Sequence, residues 1–265
     1  MDLSHVQLMG ILNITPDSFS DGGKLNSPES IAQAAKQMIN DGATILDIGA
    51  ESSGPGSTDV SLQEELNRVI PALEIIIPIA KKHNIQISID TYKAEIANQT
   101  LQMGADIIND ITGLRGDPNM AKIIAKHNAK VDIMYSKDPT ARTTKEATKY
   151  NDVIATITQF LTKQIEYAKS QGIDPKNIII DPGMGAFIST IPKYSYEILD
   201  RLQELKQLSF PLLVGTSLKS MHPFPLKDRL IPRIATALQA AQNGANILRV
   251  HQVKEHKLAL STFQN

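Results

Sequence analysis

The sequence contains no cysteine and no tryptophan, and aromatic residues make up only 5% of it. The lack of cysteine excludes disulfide bonds, thiolate catalysis and zinc sites built on cysteine ligands. No apolar run approaches the roughly 18–20 residues that a membrane-spanning helix needs. The phosphate-binding glycine loop, the HExxH zinc motif and the nucleophilic serine elbow are also missing from the sequence. These absences exclude thiol-dependent enzymes, P-loop nucleotide-binding proteins, HExxH metalloproteases and hydrolases with a nucleophilic serine elbow.

An excess of either charge is missing as well. Lys and Arg number 27 and Asp and Glu number 28, so the net charge is −1. No basic excess points to nucleic acid, and no acidic excess points to a disordered acidic tail. Residues 1–5 show no basic stretch followed by an apolar one, as a secretory signal would. We therefore expect a cytoplasmic protein that binds neither nucleic acid nor a membrane.

One pattern recurs eight times along the 265 residues. A short apolar run rich in β-branched residues ends in a polar or glycine-rich turn, and an amphipathic segment follows. The apolar runs predict strands at 7–14, 44–49, 86–90, 106–110, 130–135, 177–181, 211–215 and 246–250. The amphipathic segments predict helices at 28–41, 62–83, 94–103, 118–127, 152–171, 195–208, 228–243 and 253–261. Pro71 and Pro78 are expected to kink or split the second helix.

Strict alternation of strand and helix is typical of a parallel sheet that helices cover. Eight units of about 33 residues match the size of a βαβ step and favour a closed (β/α)8 barrel over an open, doubly wound sheet. No change in composition marks an internal boundary, so the sequence predicts a single α/β domain over residues 1–265. Residues 136–150, rich in Lys and Thr, are expected to form a functional or mobile loop.

Polar side chains follow nearly every predicted strand at its carboxyl end. In a (β/α)8 barrel these ends meet at one rim, where active sites are built. An Asp or Asn in such a position is often only a helix cap or a turn residue, and that interpretation stays open for Asp47 and Asp110. The candidates for a site are Asn13, Asp90, Asn109, Asp181, Ser217, Lys219, Arg249 and His251.

Four of these candidates suit a flat, polar heterocycle. Asp90 and Asp181 can each accept two N–H donors from an aminopyrimidine edge, whereas Asn109 can both donate and accept. Lys219 adds a positive charge or a hydrogen-bond donor. Their joint presence at one rim predicts a binding site for such a ring.

Three further candidates suit an anion. Arg249 and His251 are two residues apart, so they lie on one face of the last strand. That strand neighbours the first one in a closed barrel, so both side chains should approach Asn13 at the end of the first strand. Because an Arg guanidinium binds phosphate in bidentate fashion, this corner predicts an oxyanion site.

Six segments of the chain resemble the signature motifs of dihydropteroate synthases. The first, MGILNITPDSFSDGG at residues 9–23, is long and highly specific. The others follow in the order and spacing of the family, so the resemblance covers essentially the whole chain. They are IDTYK at 89–93, INDITG at 108–113, IDPGMG at 180–185, GTSxKS at 215–220 and LRVH at 248–251.

The resemblance implies a (β/α)8 transferase of folate biosynthesis, usually a homodimer. It would join 6-hydroxymethyl-7,8-dihydropterin pyrophosphate to p-aminobenzoate and release pyrophosphate. Pyrophosphate can leave first, because the electron-rich dihydropterin stabilises the cation that remains. No side-chain nucleophile is then required, which agrees with the absence of cysteine. The protein has to bind the departing anion and stabilise positive charge on the ring.

Residue roles also follow from the resemblance, position by position. The pterin is expected at Asp90, Asn109, Asp181 and Lys219. The pyrophosphate is expected at Asn13, Arg249 and His251, with Mg²⁺ bridging its oxygens and Asn13 near the ion. Ser53 and Ser217 are expected near p-aminobenzoate, and Phe187 completes the substrate-binding set. The catalytic candidates are Asp90, Asp181, Lys219, Arg249 and His251.

The sequence departs from the family pattern around p-aminobenzoate. Gly54 stands where an Arg is usual after the second strand, and Leu218 stands where a second Arg is usual after the seventh. The segments Ala-x-Ser-Ser-x-Pro at 50–55 and Asp-Pro-Gly-Met-Gly-x-Phe at 181–187 partly resemble the sulfonamide-insensitive branch. Altered contacts around p-aminobenzoate would discriminate against sulfonamides, which mimic it.

Two other functions stay open at this point. The chain could be a non-catalytic pterin-binding paralogue, in which the lost Arg residues at 54 and 218 have abolished capture of p-aminobenzoate. It could also be the pterin-binding domain of a corrinoid-linked methyltransferase, which shares the barrel. The long first motif and Lys219 count against the methyltransferase, and turnover separates a synthase from a paralogue.

Overall fold

Eight parallel strands form one sheet that closes into a barrel, and the helices surround it. The computed structural model describes residues 2–15, 27–52, 54, 56–217, 221–222 and 224–263, with the backbone alone at 226. The strands are β1 (Gln7–Asn13), β2 (Ile45–Gly49), β3 (Gln86–Asp90), β4 (Ile107–Asp110), β5 (Lys130–Met134), β6 (Ile178–Asp181), β7 (Leu213–Val214) and β8 (Ile247–Val250). The α-helices of these ranges are α1 (Pro28–Asn40), α2 (Leu62–Lys82), α3 (Ala94–Met103), α4 (Met120–His127), α5 (Val153–Ser170), α6 (Lys193–Asp200), α7 (Leu230–Gln242) and α8 (Val253–Ser261).

The sheet order confirms the predicted (β/α)8 barrel. Each strand from β1 to β6 pairs in parallel with the next one in the chain, and β8 pairs with both β1 and β7. A bridge between Ile180 and Leu212 joins β6 to the segment before β7 and closes the ring. The carboxyl ends of all the strands therefore meet at one mouth. No helix in the described ranges is both long enough and apolar enough to cross a membrane.

Three predicted elements differ from the structure. The second helix is neither split nor ended by Pro71 and Pro78, which both lie inside α2. The predicted helix at 195–208 is instead the short helix α6 followed by a 3-10 helix at Leu202–Leu208. The seventh strand is only two residues long, shorter than the predicted 211–215. Residues 136–150 contain neither helix nor strand, in agreement with the predicted loop.

Six apolar side chains fill the barrel interior near the beginnings of the strands. They form a separate buried cluster, which we call the floor: Met9, Ile45, Ile107, Ile179, Leu213 and Ile247. Successive residues of a strand point to opposite faces, so the residues two positions further along also face the interior. On β2, β4, β6 and β8 these residues are Asp47, Asn109, Asp181 and Arg249. The strand period thus places a polar layer directly above an apolar floor.

Candidate active site

The polar layer is organised around the guanidinium of Arg249. Its Nε donates to Asp47 Oδ2 at 2.6 Å, and its Nη2 donates to Asp90 Oδ2 at 2.5 Å. Asn109 Nδ2 donates to the same Asp47 oxygen at 3.2 Å. The cation on β8 therefore spans the barrel to carboxylates on β2 and β3, and Asp47 belongs to the site rather than to a turn.

The charges around Arg249 determine its ionisation. Burial by itself would lower the pKa of this guanidinium, because it penalises the charged form. The nearby carboxylates of Asp47, Asp90 and Asp181 outweigh burial and raise the pKa above its usual value. Arg249 is therefore a permanent positive charge at the base of the site.

A cavity of about 340 Å³, including its open mouth, lies above this layer. Its lining residues are Asp90, Asn109, Ile111, Met134, Asp181, Phe187, Gly215 and Arg249. Acidic, amide and guanidinium groups thus share the cavity with three apolar side chains. A few convergent polar groups beside apolar side chains are typical of a site for a small, flat, polar ligand.

Asp181 is held in position by the turn that follows β6. Its Oδ1 accepts a hydrogen bond from the backbone N–H of Gly183 at 2.7 Å. Gly183 has a φ of +68°, and a Cβ at this position would collide with the backbone carbonyl of Tyr135. The glycine of this turn is therefore required, because only glycine adopts this conformation at such close quarters.

Asp110, by contrast, has a structural role. Its carboxylate accepts hydrogen bonds from Thr112 N at 2.8 Å, from Thr112 Oγ1 at 2.6 Å and from Leu114 N at 3.0 Å. Burial raises the pKa of Asp110, whereas these hydrogen bonds favour its charged form. The residue fixes the turn after β4, as one of the two interpretations of the sequence held.

The predicted oxyanion site comprises Asn13, Arg249 and His251. His251 Nδ1 lies 2.9 Å from Ser217 Oγ, which links β8 to the segment after β7. Asn13 ends β1, and its Oδ1 would lie 3.3 Å from a Cβ at Gly49, where the Asp90 side chain also approaches. The strand pairing β1–β8 is as predicted, but the ion pairs of Arg249 run to Asp47 and Asp90. Ser53 and Lys219 lie outside the described residues, as does Leu218.

An ion cluster links the loops at the rim on the side of β2 and β3. Lys93 Nζ lies 2.7 Å from Glu51 Oε2 and 2.6 Å from Glu65 Oε2. It also donates to the carbonyl of Val60 at 2.6 Å, while Glu65 accepts from Thr91 Oγ1 at 2.9 Å. The lysine of the IDTYK motif therefore forms ion pairs with two carboxylates and joins the loop after β2 to α2.

Arg142 from the loop after β5 binds the loop after β2. It forms ion pairs with Glu51 and with Asp59, the latter at 2.8 Å. It also donates to the carbonyls of Ser52 at 2.5 Å and Thr58 at 3.0 Å. Five hydrogen bonds in all tie the two loops together, so this one guanidinium fixes their relative position.

The structure therefore brings five of the ten predicted site residues around one cavity. These are Asp90, Asn109, Asp181, Phe187 and Arg249. Sequence reasoning missed Asp132 on β5, which is fully buried inside the barrel. The signal was available, because an Asp between Val131 and Ile133 in a continuous apolar strand is unusual. It also missed the apolar lining residues Ile111 and Met134, which resemble any other core residue.

The fold and the cavity define a class of protein, a (β/α)8-barrel enzyme with a polar slot for a small ring at its mouth. Comparison with known proteins narrows this class. Residues 9–251 match the family described as pterin binding enzyme. The dihydropteroate synthase of a Synechocystis species is 44% identical over 93% of this chain and 85% of its own length.

Solved structures agree with the sequence comparison. The crystal structure of the Yersinia pestis dihydropteroate synthase with a sulfonamide drug has a TM-score of 0.91 and 38% identity, over 99% of this chain and 94% of that chain. The Xanthomonas albilineans enzyme in complex with 7,8-dihydropteroate has a TM-score of 0.84 and 34% identity, again over 99% and 94%. The chain belongs to the pterin-binding enzymes and, among them, to the dihydropteroate synthases, transferases of folate biosynthesis.

Gly183→Ala is expected to disturb both folding and the site. The new methyl group meets the Tyr135 carbonyl at a backbone conformation that favours glycine, so we expect a loss of about 1–3 kcal/mol in the free energy of unfolding. Denaturant unfolding measures it. Gly54→Ala is the control, because the nearest atom to its new Cβ is Ser52 Oγ at 3.8 Å. Equal stability of the two variants would contradict the assigned role of Gly183.

Proposed function

We propose that the barrel mouth joins 6-hydroxymethyl-7,8-dihydropterin pyrophosphate to p-aminobenzoate, giving 7,8-dihydropteroate and pyrophosphate. The observation that supports this assignment is the cavity in which Asp90, Asn109 and Asp181 face one another above the Arg249 guanidinium. A dihydropterin presents several N–H donors and ring acceptors in one plane, and these side chains complement them. The partners of the site are then small molecules.

The pterin ring occupies the cavity in this proposal. Asp181 accepts hydrogen bonds from the amino edge of the ring, and Asn109 donates and accepts beside it. Met134 and Phe187 cover the apolar faces of the ring, which explains the apolar part of the lining. Lys219 retains the role implied by the family resemblance.

The chemistry places negative charge near the ring and positive charge near the leaving group. The C–O bond to pyrophosphate breaks with its electron pair on oxygen, and the carboxylates of Asp90 and Asp181 stabilise the cation that remains. The amine nitrogen of p-aminobenzoate then attacks the CH₂ carbon and loses a proton. Arg249 uses Nε and Nη2 in its ion pairs, so its Nη1 is the group we assign to pyrophosphate, together with His251.

A magnesium ion fits this site only when it binds together with the pyrophosphate of the substrate. Asn13 offers one amide oxygen, and the described residues contain no group of three or more His, Asp or Glu side chains that could hold a metal. Mg²⁺ often keeps several waters and binds through substrate phosphates, so a single amide ligand is compatible with it. When bound, it would neutralise charge on the departing pyrophosphate, with Asn13 as its protein ligand.

The first experiment measures pyrophosphate release from the dihydropterin pyrophosphate with Mg²⁺, with and without p-aminobenzoate. We expect release that depends on p-aminobenzoate and a dihydropteroate product detected by mass spectrometry. Asn109→Leu keeps the volume of the side chain but removes its polar groups, so it should lose most turnover. Lys122→Ala, an exposed helix position, is the matched control. Pterin binding without product would instead identify a non-catalytic paralogue. A sulfamethoxazole arm tests the proposed insensitivity to sulfonamides.

Arg142 is our candidate for the function of the Arg that Gly54 replaces. Its hydrogen bonds fix residues 51, 52, 57, 58 and 59, which flank Ser53, the serine assigned to p-aminobenzoate. We expect Arg142→Ala to raise KM for p-aminobenzoate about tenfold or more, with KM for the pterin substrate little changed, because the loop loses its fixed position. Lys145→Ala, exposed in the same loop, is the control. An equal rise in both KM values would contradict a role confined to p-aminobenzoate.

A homodimer and a cytoplasmic location complete the proposal. Ile231 on α7 and Leu258 on α8 are 79% and 60% exposed, and these two helices are neighbours. Such side chains on adjacent helices fit a surface that a second copy covers. We expect a dimer in light scattering and a shift toward monomer for Ile231→Glu combined with Leu258→Glu. Lys122→Glu, exposed on α4, should leave the dimer intact. A monomeric parent protein would overturn the assignment.

A further inference from the structure

Asp132 is a carboxylate inside the barrel that the proposed reaction does not use. It is completely buried on β5, where its register partners are Asn109 on β4 and Ile179 on β6. Partners in a parallel ladder point to the same face, so the Asp132 side chain faces the interior with them. Asn109 lines the cavity and Ile179 belongs to the floor. Asp132 therefore lies between the floor and the ligand cavity.

Neither carboxylate oxygen of Asp132 has a hydrogen-bond partner within the described parts of the chain. A buried carboxylate in this situation is costly in its charged form. The other buried Asp residues of the barrel interior, Asp47 and Asp181, each have at least one hydrogen-bond partner. Asp47 accepts from Arg249 and Asn109, and Asp181 accepts from Gly183. Asp132 is thus the one of these three carboxylates without a hydrogen-bond partner among the described residues.

The charges that face Asp132 from the surrounding strands also oppose its ionisation. Burial and the carboxylates of Asp181 on β6, Asp47 on β2 and Asp90 on β3 raise its pKa well above the usual value. Arg249 on β8 is the opposing cation, and it is already paired with Asp47 and Asp90. The strand next to Asp132 on the other side, β4, presents the uncharged Asn109. Neighbouring carboxylates that cannot all ionise share protons among themselves.

We propose that Asp132 is a positioning residue that stays a neutral carboxylic acid beneath the pterin cavity and thereby keeps Asp181 ionised. One of two neighbouring buried carboxylates has to hold a proton. Asp181 is the better anion, because the Gly183 N–H donates to it. Held as an anion, Asp181 can accept N–H donors from the ring and stabilise the developing cation. This inference rests on the proposed role of Asp181 in pterin binding.

The state of Asp132 can be measured without any substrate. A protonated carboxylic acid has a C=O stretching band that carboxylates lack, so infrared spectra of the parent protein at neutral pH should contain this band. We expect Asp132→Asn to remove it and the exposed control Asp228→Asn to retain it. A parent protein without the band, or an unchanged band in Asp132→Asn, would overturn the proposal. Were Asp132→Asn not to fold, ¹³C-aspartate labelling and a pH titration of the parent band would decide the matter alone.

Stability gives a second readout with a definite sign. A group whose pKa is higher in the folded state than in the unfolded state binds extra protons on folding, so stability falls as pH rises between the two values. For an Asp this window opens near pH 4, the usual value of about 3.9. Asp132→Asn cannot ionise, so its Tm relative to the parent should rise steadily from about pH 4 upward. A Tm difference that does not change with pH would count against the proposal.

The pH dependence of turnover tests whether the proton on Asp132 affects function. In the parent, ionisation of Asp132 at alkaline pH adds a charge next to Asp181, so kcat/KM for the pterin substrate should fall there. In Asp132→Asn this alkaline fall should be absent while activity at neutral pH is retained, since asparagine resembles the neutral acid. A ratio of variant to parent activity that is independent of pH would refute the positioning role. Absence of turnover in the parent would refute the proposed reaction but not the infrared result.

Discussion

The two ion pairs of Arg249 stabilise a barrel interior that contains more carboxylates than cations. Asp47, Asp90, Asp132 and Asp181 all face the barrel, and Arg249 is the cation that the described residues place among them. Because the guanidinium reaches from β8 to β2 and β3, it forms ion pairs with both Asp47 and Asp90. Removing one partner of such a buried pair leaves an uncompensated charge, which costs about 3–5 kcal/mol. The pKa of Asp132 depends on the same balance, because Arg249 and the three other carboxylates all act on it.

The barrel and most of its polar rim could be predicted from the sequence, because both follow from simple periods. Alternation of apolar strands with amphipathic helices predicts the sheet, and side chains two residues apart in a strand share a face. These rules place Asn109, Asp181 and Arg249 above the floor. Asp90 was found in the same way, at the carboxyl end of β3. The predicted helix at 195–208 failed because the 3-10 helix Leu202–Leu208 buries Leu202 and Leu205, and apolar residues three apart also fit one face of an α-helix.

The contacts between loops could not be predicted in this way. Arg142 lies about 90 residues from the loop that it binds, and nothing local in residues 136–150 indicates its partner. Asp47 and Asp110 both lie in apolar strands, yet one joins the ion network and the other fixes a turn. Which role applies depends on the groups that the neighbouring strands bring close, and only the folded barrel determines these. Asp132 was overlooked because rules for strands treat a central position as apolar core.

The floor has a consequence for the order of events at the mouth. Six packed apolar side chains close the barrel below the polar layer, so within the described residues the cavity opens toward the mouth and not toward the floor. A ring seated against Asn109 and Asp181 occupies its deepest part, and anything that joins the ring afterwards arrives from the same opening. In the proposed reaction, this geometry favours entry of the pterin before p-aminobenzoate. The shape of the barrel thus favours an ordered sequence of binding.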